Sequence, residues 1–119
     1  MTGKERILNT IELKKTDRIP WVPFVGCHAA SLIGKNADEY LKSADNILSG
    51  VSAAIEKYNP DGIPVLFDLQ IEAEALGCNL AWSEENPPAV ISHPLTESVS
   101  LENLSVPSKS EGSGAAKHI

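Results

Sequence analysis

Two short apolar runs, each interrupted by proline, limit most strongly what this chain can fold into. The first is Ile19-Pro20-Trp21-Val22-Pro23-Phe24-Val25, closed by Gly26. The second is Ile63-Pro64-Val65-Leu66-Phe67, which ends at Asp68. Both are too short for a buried helix, and a proline pushes the residue before it toward extended backbone. They read as strands over residues 19–25 and 63–67. Pro64 stands near the start of its run, where a missing N–H costs least. Nearly every position in the two runs is apolar, so each expects strand neighbours on both edges and helices on both faces.

Helical signals lie between and around them. Thr2 followed by Glu5 has capping-box spacing, and Ile7, Leu8 and Ile11 share one face, which predicts a helix over residues 3–14. Asn36 with Glu39 repeats the spacing and starts a short helix that runs to Lys42. Ala44, Ile47, Leu48, Val51, Ala54, Ile55 and Tyr58 recur every three or four residues and make one apolar stripe. Asn59-Pro60-Asp61-Gly62 stops that helix with turn chemistry. Residues 69–76 are rich in helix formers, with Gly77 at the capping position. Leu80-Ala81-Trp82 and Val90-Ile91 read as short extended pieces on either side of Asn86-Pro87-Pro88. Thr96 to Leu104 holds one or two helical turns, residues 105–114 form a loop rich in Ser and Gly, and Ala115 to Ile119 open another helix.

Apolar strands alternating with helices define an α/β chain with a parallel sheet. Two or three such strands make a poor sheet alone, and a closed barrel of this kind takes about 250 residues. The 119 residues are therefore expected to be one incomplete domain over 1–119. Composition agrees with a globular origin: 42% of residues are hydrophobic and 22% charged. A net charge of −6, with ten scattered Lys and Arg, argues against nucleic acid or an anionic membrane as partner. No run has the length of a membrane span, and the charged N-terminus has no apolar signal core, so a cytoplasmic location is expected. Cys27 and Cys78 belong to no CxxC pair, which leaves zinc-finger and thioredoxin-type chemistry unsupported.

Several segments, in order, resemble the uroporphyrinogen decarboxylase superfamily. Thr2-Gly3-Lys4-Glu5-Arg6-Ile7-Leu8-Asn9-Thr10 resembles its N-terminal helix, and Thr16-Asp17-Arg18-Ile19-Pro20 its approach to the first strand. Asp61-Gly62-Ile63-Pro64-Val65-Leu66-Phe67-Asp68, continuing through Glu72-Ala73-Glu74-Ala75-Leu76-Gly77, is similar to its second strand and the helix that follows. Leu101-Glu102-Asn103-Leu104-Ser105-Val106-Pro107 resembles the stretch before its next helix. The resemblance implies the N-terminal portion of a (β/α)8 barrel. It also implies one of two chemistries: cofactor-free decarboxylation of a tetrapyrrole, or methyl transfer between a corrinoid protein and a thiol or folate-type acceptor. Decarboxylases of the family carry an arginine-rich segment directly after the first strand, to pair with substrate carboxylates. Here that place reads Phe24-Val25-Gly26-Cys27-His28-Ala29-Ala30-Ser31, without arginine. Bidentate guanidinium pairing has no substitute in this stretch, so the methyltransferase branch is favoured.

Asp68 is the expected catalytic residue, at the end of a strand where barrel enzymes place their chemistry. In the resemblance it is an acceptor that stabilises positive charge developing on the macrocycle. The alternative role is an N-cap for the helix over 69–76. His28 and Cys27 follow the first strand and are expected to line the substrate site, His28 in one cleft with Asp68. Metal binding is not expected of them, since further ligands are missing, and Cys27 also reads as a small buried apolar residue. Helical spacing sets Glu72 on the face of Asp68, either as a second carboxylate or as part of a solvated acidic helix start. His93 and His118 receive no role, and Trp21 and Trp82 read as packing residues.

Three functions follow as expectations. The first is a methyltransferase piece, inactive alone, whose complete form uses a corrinoid and zinc ligands supplied by later residues. The second is uroporphyrinogen decarboxylase. The third is a shortened, non-catalytic binding or assembly module. The expected partners are a corrinoid protein or a tetrapyrrole-like ligand, with self-association through uncovered apolar faces.

Overall fold

The computed structural model describes residues 1–65, 68–96 and 100–105. Helix α1 spans Gly3–Ile11 and opens on the expected capping box: Glu5 N–H donates to Thr2 Oγ1 at 3.2 Å, and Thr2 N–H to Glu5 Oε2 at 2.7 Å. It stops short of Lys14. Leu13 takes a left-handed backbone, φ 55°, and Lys14 N–H reaches back to Asn9 O at 2.7 Å, which closes the last turn.

Residues 19–25 form no ladder. Pro20 and Pro23 remove two N–H donors, and Trp21 O accepts the Asp61 N–H at 2.9 Å. Residues 63–65 likewise carry no strand, while Leu66 and Phe67 lie outside the described residues. The parallel pair expected from the alternation is thus replaced by two irregular segments joined at their starts. A strand is defined by its partner, and no described residue supplies one. Gly62 marks how closely the pieces approach: a Cβ there would meet Ile7 Cδ1 at 2.9 Å and Val22 Cγ2 at 3.7 Å.

A helical layer follows. Helix α2 (His28–Leu32) was not apparent in the sequence; α3 (Ala37–Leu41) carries the Asn36/Glu39 capping box, and α4 (Ala44–Tyr58) is the long amphipathic helix. Ser43 caps the start of α4, and Asn59 ends it in the left-handed conformation, φ 45°. The core lies among these three helices. Ala29, Ala30, Tyr40, Leu41 and Ile47 are buried together, with Val25, Cys27, Ile33, Val51 and Trp82 packed against them. Gly50 lets α4 pass close to its neighbours, since a Cβ there would stand 2.7 Å from Tyr40 Cε2 and 2.9 Å from Ala29 O. Trp82 is a packing residue, as expected.

Helix α5 (Ile71–Ala75) is followed by Gly77 at φ 91°, where the glycine was expected to cap. The two short extended pieces pair with each other. β1 (Asn79–Ala81) runs antiparallel to β2 (Ala89–Ser92), with Leu80 opposite Val90, Ala81 opposite Ala89, and an irregularity after Asn79. This hairpin docks on the helices through Ala37 N–H to Glu84 O at 2.8 Å, and Lys42 Nζ lies 4.2 Å from the Trp82 ring centre. Single 3₁₀ turns at Pro94–Thr96 and Leu101–Asn103 end the described chain. The residues from 106 through 114, expected as loop, lie outside it, as does the expected helix from Ala115. Among the described residues, no helix is long and apolar enough to cross a membrane.

Candidate functional site

Cys27 and His28 are neighbours in sequence, and the turn at Gly26 (φ 51°) sends them to different surroundings. The Cys27 thiol packs beside the core cluster, and burial pushes its pKa up, with the negative charge of Asp68 adding to the effect. A thiol held protonated is a poor nucleophile and a poor metal ligand. Its neighbour Tyr40 is raised as well, first by burial and then by Cys27.

His28 opens α2 and turns toward the end of α4, where its Nε2 shares a 2.7 Å hydrogen bond with the Tyr58 hydroxyl. The two rings are tilted by 38° with centres 5.9 Å apart. Ser31 Oγ donates to His28 O at 2.7 Å and lies 3.5 Å from Nδ1. In front of this pair is a groove of about 260 Å3, lined by Trp21, Pro23, Phe24, Val25, His28 and Tyr58. An apolar groove with one polar pair is the usual form of a small-molecule site. Tyr58 had been placed only in the apolar stripe of α4; its hydroxyl is the part that sequence periodicity does not report.

Asp68 follows the 63–65 segment and is half-buried. Its Oδ1 accepts the Gln70 N–H at 2.8 Å, a local turn that sets the chain up for α5 without capping the helix itself. It is not among the side chains that line the His28 groove; its charge is felt at Cys27 instead. Glu72 is exposed on α5. Glu74, on the same helix, has a buried Oε2 with no hydrogen-bond partner. Among the described residues no three His, Cys, Asp or Glu side chains are grouped to hold a metal ion.

The strongest electrostatic cluster lies elsewhere, at the starts of the two apolar runs. Asp61 accepts from Arg6 Nη1 at 2.6 Å, from Arg18 Nη1 at 2.6 Å and Nη2 at 2.9 Å, and from Trp21 N–H at 2.8 Å. Arg6 also grips Asp17, with Nε–Oδ1 at 2.6 Å and Nη2–Oδ2 at 3.0 Å. Hydrogen bonds from Arg6 hold the Asp17 carboxyl down at about 2. The Asp61 carboxyl is lowered too, first by the Trp21 N–H and then by the two guanidinium groups. This cluster commits both arginines of the chain, Arg6 and Arg18.

Residues 2–119 match the family model for uroporphyrinogen decarboxylase (URO-D), and the chain belongs to that family. Its structure is similar to that of a methyltransferase from Methanosarcina mazei, with a TM-score of 0.65 at 21% sequence identity. The similarity covers 79% of this chain and 29% of that one. A search of curated proteins finds no match.

Proposed function

We propose that this chain is the N-terminal portion of a (β/α)8-barrel methyltransferase of the uroporphyrinogen decarboxylase family. The protein it belongs to would move a methyl group between a corrinoid, carried on a protein, and a thiol or folate-type acceptor. The observation that carries this reading is the commitment of the arginines. Decarboxylation of a substrate with many carboxylates needs free guanidinium groups near the first strand. Residues 24–31 have none; at the opposite end of the apolar runs Arg6 is held by Asp17 and Asp61, and Arg18 by Asp61. The structural similarity to a methyltransferase supports the same branch.

In this reading Asp68 is an electrostatic acceptor at the end of the second run, its charge felt at Cys27, and His28, Cys27 and Glu72 serve substrate binding. The described residues do not by themselves fit the groups that the chemistry calls for. A groove of about 260 Å3 is much smaller than a corrin macrocycle, and no three ligand-type side chains converge for zinc. What these residues contribute is a fixed carboxylate, a thiol kept neutral, and an apolar wall.

The test uses the longer protein containing this portion, supplied with methylcobalamin and a thiol acceptor, and in parallel with uroporphyrinogen. Thiol methylation without decarboxylation is expected. Robust formation of coproporphyrinogen would overturn the reading.

A further inference from the structure

We infer that residues 1–17, α1 and the turn after it, form a strap latched by the Arg6–Asp61 bond, which opens and closes as one unit while α2, α3 and α4 stay folded. The inference goes beyond methyl transfer and does not rest on it, because strap and latch are built from residues 1–22 and 61–62.

Burial gives the first argument. Helix α1 has no buried side chain, and the buried residues of the core cluster stand on α2, α3 and α4. Of the apolar face of α1, Leu8 and Ile11 remain exposed, Ile11 by 72%. Ile7 is half-buried beside Gly62, its Cδ1 2.9 Å from the position a Cβ would take there. Gly3 lies with its backbone against that of Asp61, where a Cβ would meet the carbonyl oxygen at 2.7 Å. One half-buried isoleucine is a small apolar anchor for a nine-residue helix.

The pairing of the charges gives the second. Arg6 binds both oxygens of Asp17, through Nε at 2.6 Å and Nη2 at 3.0 Å. Arg18 binds both oxygens of Asp61, which also accepts the Trp21 N–H. The four charges thus divide into two bidentate pairs, joined by Arg6 Nη1 to Asp61 Oδ1 at 2.6 Å. Losing a partner ordinarily strands a buried charge. Here the break falls between the pairs: Arg6 leaves with Asp17, and Asp61 keeps Arg18 and the Trp21 N–H. Neither side of the opening holds an uncompensated charge, so the strap can lift without the cost that would unfold the chain.

The strap is also closed on itself. Leu13, exposed and at φ 55°, turns the chain back, Lys14 N–H reaches Asn9 O at 2.7 Å, and Asp17 returns to Arg6. Asp17 is exposed, however, and an exposed pair stabilises little. A helix of nine residues does not persist alone in water. An α1 that leaves its dock therefore melts, and its amides exchange.

Hydrogen–deuterium exchange on the 119-residue chain, read on peptides covering residues 6–14 and 44–58, tests the strap. After correction for intrinsic rates, the 6–14 amides should exchange at least about tenfold faster than those of α4. Arg6→Met removes the latch and keeps an apolar stem, and should lower protection in 6–14 by a further factor of about ten or more, with α4 still protected. Asp17→Asn spares the Arg6–Asp61 bond and should change it by less than about fivefold. Equal protection of the two peptides in the wild type would overturn the inference, as would loss of both together in Arg6→Met. So would a 6–14 peptide that responds to Asp17→Asn as strongly as to Arg6→Met.

Discussion

Arg18 grips both carboxylate oxygens of Asp61, Nη1 at 2.6 Å from Oδ2 and Nη2 at 2.9 Å from Oδ1, across 43 positions of sequence. Arg6 of α1 shares Oδ1, and the Trp21 N–H shares Oδ2. One carboxylate thus ties the N-terminal helix, the start of the first apolar run and the start of the second. In a barrel this end of the strands is the one associated with stability, while chemistry sits at the other.

The first prediction ranks two substitutions. The Asp61 side chain is 2% exposed and accepts four bonds, whereas that of Asp17 is 47% exposed and pairs with Arg6. Removing one partner of a buried pair strands the others, while an exposed pair contributes little. Asp61→Asn should therefore lower Tm clearly more than Asp17→Asn. Equal Tm values in thermal denaturation would show that Asp61 is not the pin of this cluster.

The second prediction concerns acid. The folded Asp17 carboxyl sits at about 2 against an ordinary value of 3.8, and Asp61 is lowered in the same direction. A carboxylate depressed on folding contributes stability that is fully present above its unfolded pKa. That stability is lost as pH falls through the folded one. Tm should hold from neutral pH to about 4 and then fall toward about pH 2. The fall should be shallower in Asp61→Asn. A Tm that does not change over that window would contradict the pairing.

Local signals in this sequence were legible and distant ones were not. The two capping boxes, the α4 stripe, the Asn59 turn and the Gly77 cap each sit within a few residues, and each is found in place. The Arg6–Asp17–Asp61–Arg18 cluster joins positions up to 55 apart, and nothing in the spacing of the charges announces it. Residues 19–25 look like a strand because they are apolar and proline-stiffened, but a ladder needs a partner that local sequence does not provide. The same limit hid the site: Tyr58 has helix periodicity, and only the fold brings its hydroxyl to His28.

A third prediction tests the core. Gly50 stands where α4 meets Ala29 of α2 and Tyr40 of α3, with 2.7 Å and 2.9 Å to the nearest atoms from a built Cβ. Alanine ordinarily stabilises a helix by about 1 kcal/mol over glycine. Here the nearest atoms are a buried ring and a backbone carbonyl, neither free to move. Gly50→Ala should therefore destabilise the chain by about 1–3 kcal/mol, the usual cost of overpacking, in urea denaturation. A gain in stability would mean that the helices can separate.

The fourth separates two roles of Asp68. Asparagine keeps an oxygen for the Gln70 N–H and so preserves the turn, but it removes the negative charge. If Asp68 stabilises developing positive charge, Asp68→Asn in the longer protein should cut kcat by about 100-fold with Tm little changed. Full activity in that variant would leave Asp68 a turn residue.

The last prediction is that the 119-residue chain does not remain a monomer. Ile19 is 87% exposed, Val65 71% and Leu48 68%, and Ala44, Ile47, Leu48, Val51 and Val65 form a mostly apolar groove along α4, with Asp45 as its one charged lining residue among the described residues. Exposed apolar residues scattered singly are ordinary, but a mostly apolar groove beside backbone that lacks ladder partners is an invitation to another chain. Covering it would recover roughly 25 cal/mol per Å2 of apolar surface. Sedimentation velocity at low micromolar concentration should show dimers or larger species. Ile19→Lys and Leu48→Lys should each shift the distribution toward monomer, because a charge at either place opposes burial. A monodisperse wild-type monomer that unfolds in one cooperative transition would mean that the helical core alone sustains the chain. The exposed groove would then be an ordinary surface rather than half of an interface.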